Sequence, residues 1–299
     1  MERRIFLRNS GLVLGSTLLF QKNLLAELFQ QPGFKIEMLR DDLGIFTERG
    51  GTIIFKYTKE GIVVVDSQFP DQAKHLIDEL KKRNDQPFRL LINTHHHGDH
   101  TAGNIAFKDL TQHVLAHANS KINQETVAKT AQTEDKQLYP DQTYTNVWSE
   151  KIGKERITMH YFGPGHTNGD SVVHFENSDV VHMGDLMFNR RYPFIDRTAG
   201  ASVKNWITIL DKSANKFNKK TIFVFGHAHE TASVTGGKED INLFKDFLEK
   251  LLVFATAEFK AGKTKEDFLK NTAIPGVTEW KGDGIQRPLG AAWDEVAVG

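Results

Sequence analysis

The chain has 299 residues, 39% hydrophobic and 25% charged, an ordinary globular balance with length enough for one large α/β domain and its full core. Lysine plus arginine and aspartate plus glutamate stand at 38 each, so no net charge points to nucleic acid or another polyanion as partner. There is no cysteine, no internal repeat and no low-complexity segment; the lack of cysteine is compatible with an oxidising compartment.

In chain order the first signal is Arg3-Arg4-Ile5-Phe6-Leu7-Arg8, followed by an apolar run over 11–20. It looks like a twin-arginine export signal, because an apolar run of about ten residues is too short for a spanning helix, which needs roughly 20. The expectation is a signal peptide over residues 1–26, handled by the twin-arginine export machinery and leading to the periplasm, with no stable membrane span. Residues 27–299 then form one domain. Strands are expected at 34–40, 44–47, 52–57 and 62–66, turning at Arg49-Gly50-Gly51 and Lys59-Glu60-Gly61. A helix follows over 71–83, where Ala73, Leu76, Ile77 and Leu80 make an apolar stripe.

Residues 88–93 read as a buried strand, and a helix starts in 101–107. A further helix is expected over 119–131. The polar, Pro140-containing stretch 133–144 reads as a loop near the functional site. Strands at 156–162, 171–176 and 179–183 form a second set. Helices are expected at 202–214 and 238–261, the latter with Ile241, Phe244, Phe247, Leu248, Leu251 and Leu252 on one face. The tail from Thr264 adds a short helix and a Gly/Pro-containing irregular end.

The chemistry concentrates in Thr94-His95-His96-His97-Gly98-Asp99-His100, on a strand-to-helix loop where α/β folds bind ligands. His95 and His97 are two apart and share one side of an extended chain, and Gly98 lets the chain turn before Asp99 and His100. Three later segments end apolar runs with a ligand-type residue beside glycine: Gly165-His166-Thr167, Gly184-Asp185 and Gly226-His227. Seven candidate ligands result: His95, His97, Asp99, His100, His166, Asp185 and His227. Three histidines on one ion, two histidines and an Asp on another, and Asp185 between them make a sensible set for Zn, Fe or Mn.

These residues resemble the metallo-β-lactamase fold superfamily of metallohydrolases over roughly residues 36–230. His-x-His-x-Asp-His stands at 95–100, Gly-His-Thr at 165–167, the shared Asp at 185 and the last His at 227. Asp66, after Gly61-Ile62-Val63-Val64-Val65, fits the family's first motif. The resemblance implies an α/β fold, an αββα four-layer sandwich of two mixed sheets with two metal ions, zinc by preference, at one edge. Asp185 is similar to the glyoxalase II, lactonase and phosphodiesterase branches, whereas a cysteine-ligand lactamase is a poor match. His97 stands where flavodiiron oxygen reductases carry a carboxylate, which counts against that branch.

The implied activity is hydrolysis of a small-molecule ester, lactone, thioester or amide, a β-lactam included, by a hydroxide shared between two cations, since metal lowers the pKa of bound water to about 7. Asp99 would both ligate and carry a proton to the leaving group. Asp66 and Thr94 would fix ligand geometry from behind. Arg190, Arg191 and Tyr192 are placed in the substrate pocket, with an Arg reading a carboxylate or phosphate. His96 is expected to be exposed, His229 to stand behind the metals, and Asp170 to brace the His166 loop. His113, His117, His174 and His182 read as structural, and Trp148 and Trp206 as pocket wall or core. A phosphodiesterase or nuclease and a mononuclear-iron sulfur dioxygenase are the alternatives, the former opposed by the lack of a basic stripe.

Overall fold

A computed structural model describes residues 33–298; the twin-arginine segment lies outside the described residues. Two short antiparallel turns of chain open the fold. The pairs Leu43–Lys56 and Ile54–Val65 register three strands against one another, β2 (Leu43–Thr47), β3 (Ile53–Thr58) and β4 (Gly61–Val65), with β1 (Lys35–Arg40) on the outside. Helix α1 (Pro70–Arg83) starts on a proline, tolerated there because a first-turn N–H has no helical acceptor to find. Its stripe of Ala73, Leu76, Ile77 and Leu80 is buried.

The chain then adds parallel strands β5 (Phe88–Ile92), β6 (Val114–His117) and β7 (Gln142–Tyr144), completing a seven-stranded mixed sheet in sequence order. Helix α2 (Gly98–Thr101) is one turn and runs into a 3-10 segment, Ala102–Phe107; α3 (Ala118–Ala131) links β6 to β7. The second sheet has six strands: β8 (Val147–Ile152), β9 (Glu155–His160), β10 (Val172–Phe175), β11 (Val180–His182), β13 (Ile222–Val224) and β15 (Thr235–Gly236). Its strands are antiparallel except β11 beside β13, which run parallel. A two-stranded parallel ribbon, β12 (Phe188–Asn189) with β14 (His227–Ala228), stands apart. Helices α4 (Val203–Lys216), α5 (Lys238–Lys260), α6 (Lys265–Phe268) and α7 (Gln286–Val298) complete the chain.

Period-two alternation places the layers. Val63, Val65, Leu90 and Ile92 from the first sheet meet Ile157, Met159, Val173, Phe175 and Val224 from the second in one apolar cluster. The alternate residues Val172, Val181 and Phe223 face a second cluster built with Trp206, Leu210, Phe244, Phe247 and Leu289 of the late helices. With α1 over the outer face of the first sheet, the result is the expected α/β sandwich of two mixed sheets between helices. No helix among the described residues is long and apolar enough to cross a membrane.

The structure departs from the sequence reading in three elements. The stretch expected as loop over 133–144 ends in edge strand β7. Strand β8 was not expected, because Ser149-Glu150-Lys151 on a solvated edge strand hides the alternation. The irregular tail contains α7, thirteen residues long. Its Pro288 reads as a breaker but lies in the first turn, where proline costs little.

Candidate metal centre

All seven ligand-type residues arrive at one edge of the sandwich, each just past a strand. The β5 end delivers His95, His97, Asp99 and His100; the β9–β10 loop delivers His166; the β11 end delivers Asp185; and β14 opens on His227. Close packing requires glycine here: a Cβ on Gly226 would lie 2.0 Å from Asp185 Oδ1, and one on Gly51 would lie 2.1 Å from His100 Cε1.

Two clusters share Asp185. In the first, His97 Nδ1 lies 3.1 Å from His95 Nε2 and 2.9 Å from His166 Nε2, with Asp185 Oδ2 3.5 Å from His166 Nε2. In the second, Asp185 Oδ1 lies 3.0 Å from His100 Nε2 and 3.5 Å from His227 Nε2, and Asp99 Oδ2 lies 3.1 Å from His227 Nε2. One carboxylate thus turns one oxygen to each cluster.

The outer ring nitrogens decide what the inner ones can be. His95 Nδ1 is 3.1 Å from Thr94 Oγ1, whose own proton goes to Asp66 Oδ2 at 2.7 Å. His100 Nδ1 donates to Asp66 Oδ2 at 2.7 Å, and His166 Nδ1 to the Phe194 carbonyl at 2.8 Å. His97 Nε2 donates to Asp196 Oδ2 at 3.0 Å. With each outer nitrogen donating, the inner nitrogens carry lone pairs. Three lone pairs about 3 Å apart repel unless a cation lies between them. Atoms about 2.0–2.1 Å from one tetrahedral ion stand about 3.4 Å apart, close to the spacing seen. His100 Nε2 and Asp185 Oδ1 are buried and find no hydrogen-bond partner, as donors awaiting a metal would. The residues fit the group.

The electrostatics agree. Burial drives His166 down to about 3 and His95 well below the imidazole range, so both imidazoles are neutral, the form that can ligate. His100 runs the other way: burial opposes its charge, yet Asp185 and Asp66 on its two ring nitrogens raise it well above that range. Burial likewise opposes the Asp185 charge, but the surrounding histidines, His227 first, hold its carboxyl well below the usual carboxylate range. The pocket is built around positive charge.

The profile of the metallo-beta-lactamase superfamily matches residues 47–227, a span that holds all seven residues and both sheets' central strands. The chain belongs to the metallo-beta-lactamase superfamily. That membership and the clustered His and Asp side chains fit a metal-dependent hydrolase. A protein named metallo-beta-lactamase type 2, from Elizabethkingia meningoseptica, is 26% identical over 74% of this chain and 89% of its own length. Metallo-beta-lactamase IND-1 of Chryseobacterium indologenes is 26% identical over 62% of this chain and 75% of its own. Among solved structures, a metallo-beta-lactamase from Pontibacter korlensis shares the fold at a TM-score of 0.61 with 20% identity, covering 72% of this chain and 99% of that one. Metallo-beta-lactamase IND-7 does so at 0.60 with 24% identity, covering 74% and 100%.

Behind the superfamily's ligand residues, Asp66 is the hub. Its carboxylate accepts from Thr94 N at 2.8 Å, Thr94 Oγ1 and His100, and its backbone has φ of +66°. A non-glycine residue held in that region costs of order 1–3 kcal/mol, offset here by three buried hydrogen bonds. Asp170 braces the His166 loop, accepting from Thr167 N at 2.9 Å, Gly165 N at 3.2 Å and Thr167 Oγ1 at 2.6 Å. His182 is structural, donating from Nε2 to the Thr52 carbonyl at 2.8 Å. His229 turns to Thr231 rather than to the clusters. Trp206 is core, its indole N–H on the Leu186 carbonyl and its ring 5.7 Å from that of His166. Trp148 is half-buried against the inter-sheet cluster.

Besides His229, two sequence expectations change, and one residue was missed. His96 is buried, 6% exposed, with Nε2 3.7 Å from Asp196 Oδ2, because the 194–196 segment folds over the loop; burial lowers it to about 4. Arg190 does not line the cleft. Its φ of +58° kinks the chain, and its guanidinium sits 3.0 Å from Glu279 and over Trp280 at 5.4 Å, while Arg191 and Tyr192 line the cleft. Asp196 was not singled out at all. It follows Asp185 by eleven residues in an aromatic loop, and its local signal, an Asp capping the 3-10 turn Arg197–Ala199 through Ala199 N, says nothing of His97. The cleft over the clusters has a volume of about 400 Å³, with His97, Asp99, Asp185 and His227 on its floor. Phe188, Tyr192 and Phe194 form an aromatic wall, and Asp283 and Arg287 approach from the C-terminal segment.

Proposed function

We propose that the chain is a dinuclear zinc hydrolase that opens a small ester, lactone, thioester or amide, with a β-lactam among the amides. The observation that carries it is the Asp185 carboxylate between two clusters, one oxygen toward each. His95, His97 and His166 would hold one ion and Asp99, His100 and His227 the other, with Asp185 common to both. The set contains only nitrogen and oxygen donors, which supports the glyoxalase II-like arrangement over a thiolate one. Two such cations polarise a carbonyl and make a water-derived nucleophile available near neutral pH.

The chain's own residues supply orientation and proton handling. Asp66 and Thr94 fix His100 and His95; Asp196 and the Phe194 carbonyl fix His97 and His166. Asp99 is the one carboxylate of the set with a solvent-facing side chain, 32% exposed. It is therefore placed to take up a proton and return it to the leaving group. Phe188, Tyr192 and Phe194 exclude water from one side of the cleft.

Elemental analysis should give two zinc ions per chain, and Asp185→Ala should lose at least one; one ion or none in carefully loaded protein contradicts the reading. A panel of β-lactams, lactones, thioesters, aryl esters and phosphodiesters then names the substrate, and turnover of phosphodiesters alone would favour the phosphodiesterase reading. Export rests on Arg3-Arg4 and the apolar run after it. Arg3→Lys with Arg4→Lys should leave the chain in the cytoplasm on fractionation, and periplasmic recovery of that double variant would refute it.

A further inference from the structure

We propose that His96, His97 and Asp196 form a third site for a divalent transition metal, through which excess zinc inhibits hydrolysis. The site rests on the metal reading of the two clusters and adds regulation to it. Its ligand atoms lie within 4.8 Å of one another, and only His97 belongs to a cluster already described.

Asp196 Oδ2 lies 3.0 Å from His97 Nε2 and 3.7 Å from His96 Nε2. Donors around one tetrahedral zinc stand about 3.4 Å apart, between those two spacings. The other Asp196 oxygen is held by Thr198 Oγ1 and Ala199 N, which leaves Oδ2 to face the two imidazoles. The His96 ring differs from the structural histidines of this fold. His182 bonds the Thr52 carbonyl at 2.8 Å and Gly184 N at 2.9 Å, and His117 bonds the Thr145 carbonyl at 3.0 Å and Asn119 N at 3.2 Å. His96, with its side chain 4% exposed, has Nδ1 buried without a hydrogen-bond partner, and its Nε2 stops short of hydrogen-bond range from Asp196. Its Nε2 can therefore bond a cation without breaking any contact that holds the ring.

Both walls of the site are fixed. Thr101 Oγ1 donates to the His96 carbonyl at 3.2 Å and to the His97 carbonyl at 3.1 Å. Asp196 N donates to the His166 carbonyl at 3.1 Å, and Ala201 N to the Asp196 carbonyl at 2.9 Å. The three donors are thus held before an ion arrives, so little ordering is lost on binding. Two imidazoles and a carboxylate suit zinc, copper or nickel rather than magnesium or calcium. The incoming ion takes His97 Nε2 in place of its proton, which leaves to solvent. His97 then serves the first cluster through Nδ1 and the third site through Nε2. Loss of that proton and the nearby cations make this site weaker than the two clusters. Occupancy replaces the hydrogen bond from His97 to Asp196 and divides the electron density of one ring between two cations. The first cluster holds its ion less well, and turnover slows.

The test counts zinc by equilibrium dialysis of the full chain at rising free zinc. The wild type should hold two ions tightly and a third at least about tenfold more weakly. His96→Phe keeps a flat buried ring without nitrogens. It should keep both tight ions, lose the third at every concentration where the wild type holds it, and escape inhibition by excess zinc. Asp196→Asn removes the charge from the same site and should also keep two ions and lose the third; it carries the comparison if the phenylalanine variant melts early. A wild type that stops at two ions, or a third ion that both variants retain, overturns the site while the two-ion reading stands. A third ion that leaves turnover unchanged overturns the inhibitory role. A chain that binds no zinc at any concentration refutes the metal reading and this site with it.

Discussion

Replacing Asp196 by alanine should weaken one of the two proposed ions and leave the other. The carboxylate accepts from His97 Nε2 at 3.0 Å and is itself held by Thr198 Oγ1 at 2.5 Å and Ala199 N at 3.0 Å. The contact is mostly shielded, with side-chain exposures of 17% for His97 and 10% for Asp196. Burial opposes the Asp196 charge, but the His97 and Thr198 hydrogen bonds hold its carboxyl well below the usual range, so it is ionised throughout the working range. A hydrogen bond to a charged group in such a setting contributes about 1.5–3 kcal/mol. Its removal lets the His97 proton move to Nδ1, the atom facing the first cluster. The expected loss is about 10–100-fold in affinity for the ion held by His95, His97 and His166. Asp196→Asn keeps an acceptor oxygen and should recover most of the affinity. The assay is a two-step competition titration against a chromogenic chelator. An alanine variant with both steps unchanged, or both weakened alike, would refute the argument that Asp196 selects the nitrogen His97 presents.

Asp99→Asn keeps the shape but loses the charge; kcat should fall by about 10² to 10⁴ while the ion on His95, His97 and His166 stays bound. Near wild-type turnover with both ions in place would reduce Asp99 to a ligand. Glu295→Ala removes the acceptor for Val203 N and Lys204 N and the pair with Arg197 at 3.2 Å. Stranded N–H groups at a helix start cost about 2–4 kcal/mol together, or about 5–15 °C in Tm, and calorimetric melting measures it. A smaller loss than 1 °C would show that water replaces the carboxylate freely. Burial, with Lys216 and His174 nearby, lowers His160 to about 4 from 6.5. Its imidazole is neutral in both states above pH 6.5; below that the unfolded chain takes up a proton first, so stability drains by about 3 kcal/mol as pH falls from 6.5 to 4. Denaturant midpoints of the metal-free chain should show this slope, and His160→Phe should reduce it by one proton. Identical slopes in the two chains would remove His160 from the account.

The sequence by itself determined the candidate ligands and much of the frame around them. His95, His97, Asp99, His100, His166, Asp185 and His227 were legible because metal chemistry admits few side chains. Each also follows an apolar strand and lies beside glycine or a turn. Helix α1 and the strands of the first sheet were legible for a related reason, since their periodicity is set by one local burial decision per residue. What only the tertiary structure decided are contacts whose partners lie far apart in sequence. Asp196 reaches His97 across 99 residues, and nothing local marks an aspartate in a loop as a histidine's acceptor. Arg190 and Arg191 are neighbours of the same type. A positive φ at the first and the acids Glu279 and Asp240 against it make one structural and leave the other facing the cleft. His96 is buried because a segment a hundred residues on covers it. Helix α7 forms although Gly290 depresses its own propensity, because Leu289, Ala292 and Trp293 bury against the second core cluster and Glu295 completes another helix's start. Local chemistry named the candidate metal centre; burial between distant segments decided which groups orient it and which side chains line the cleft above it.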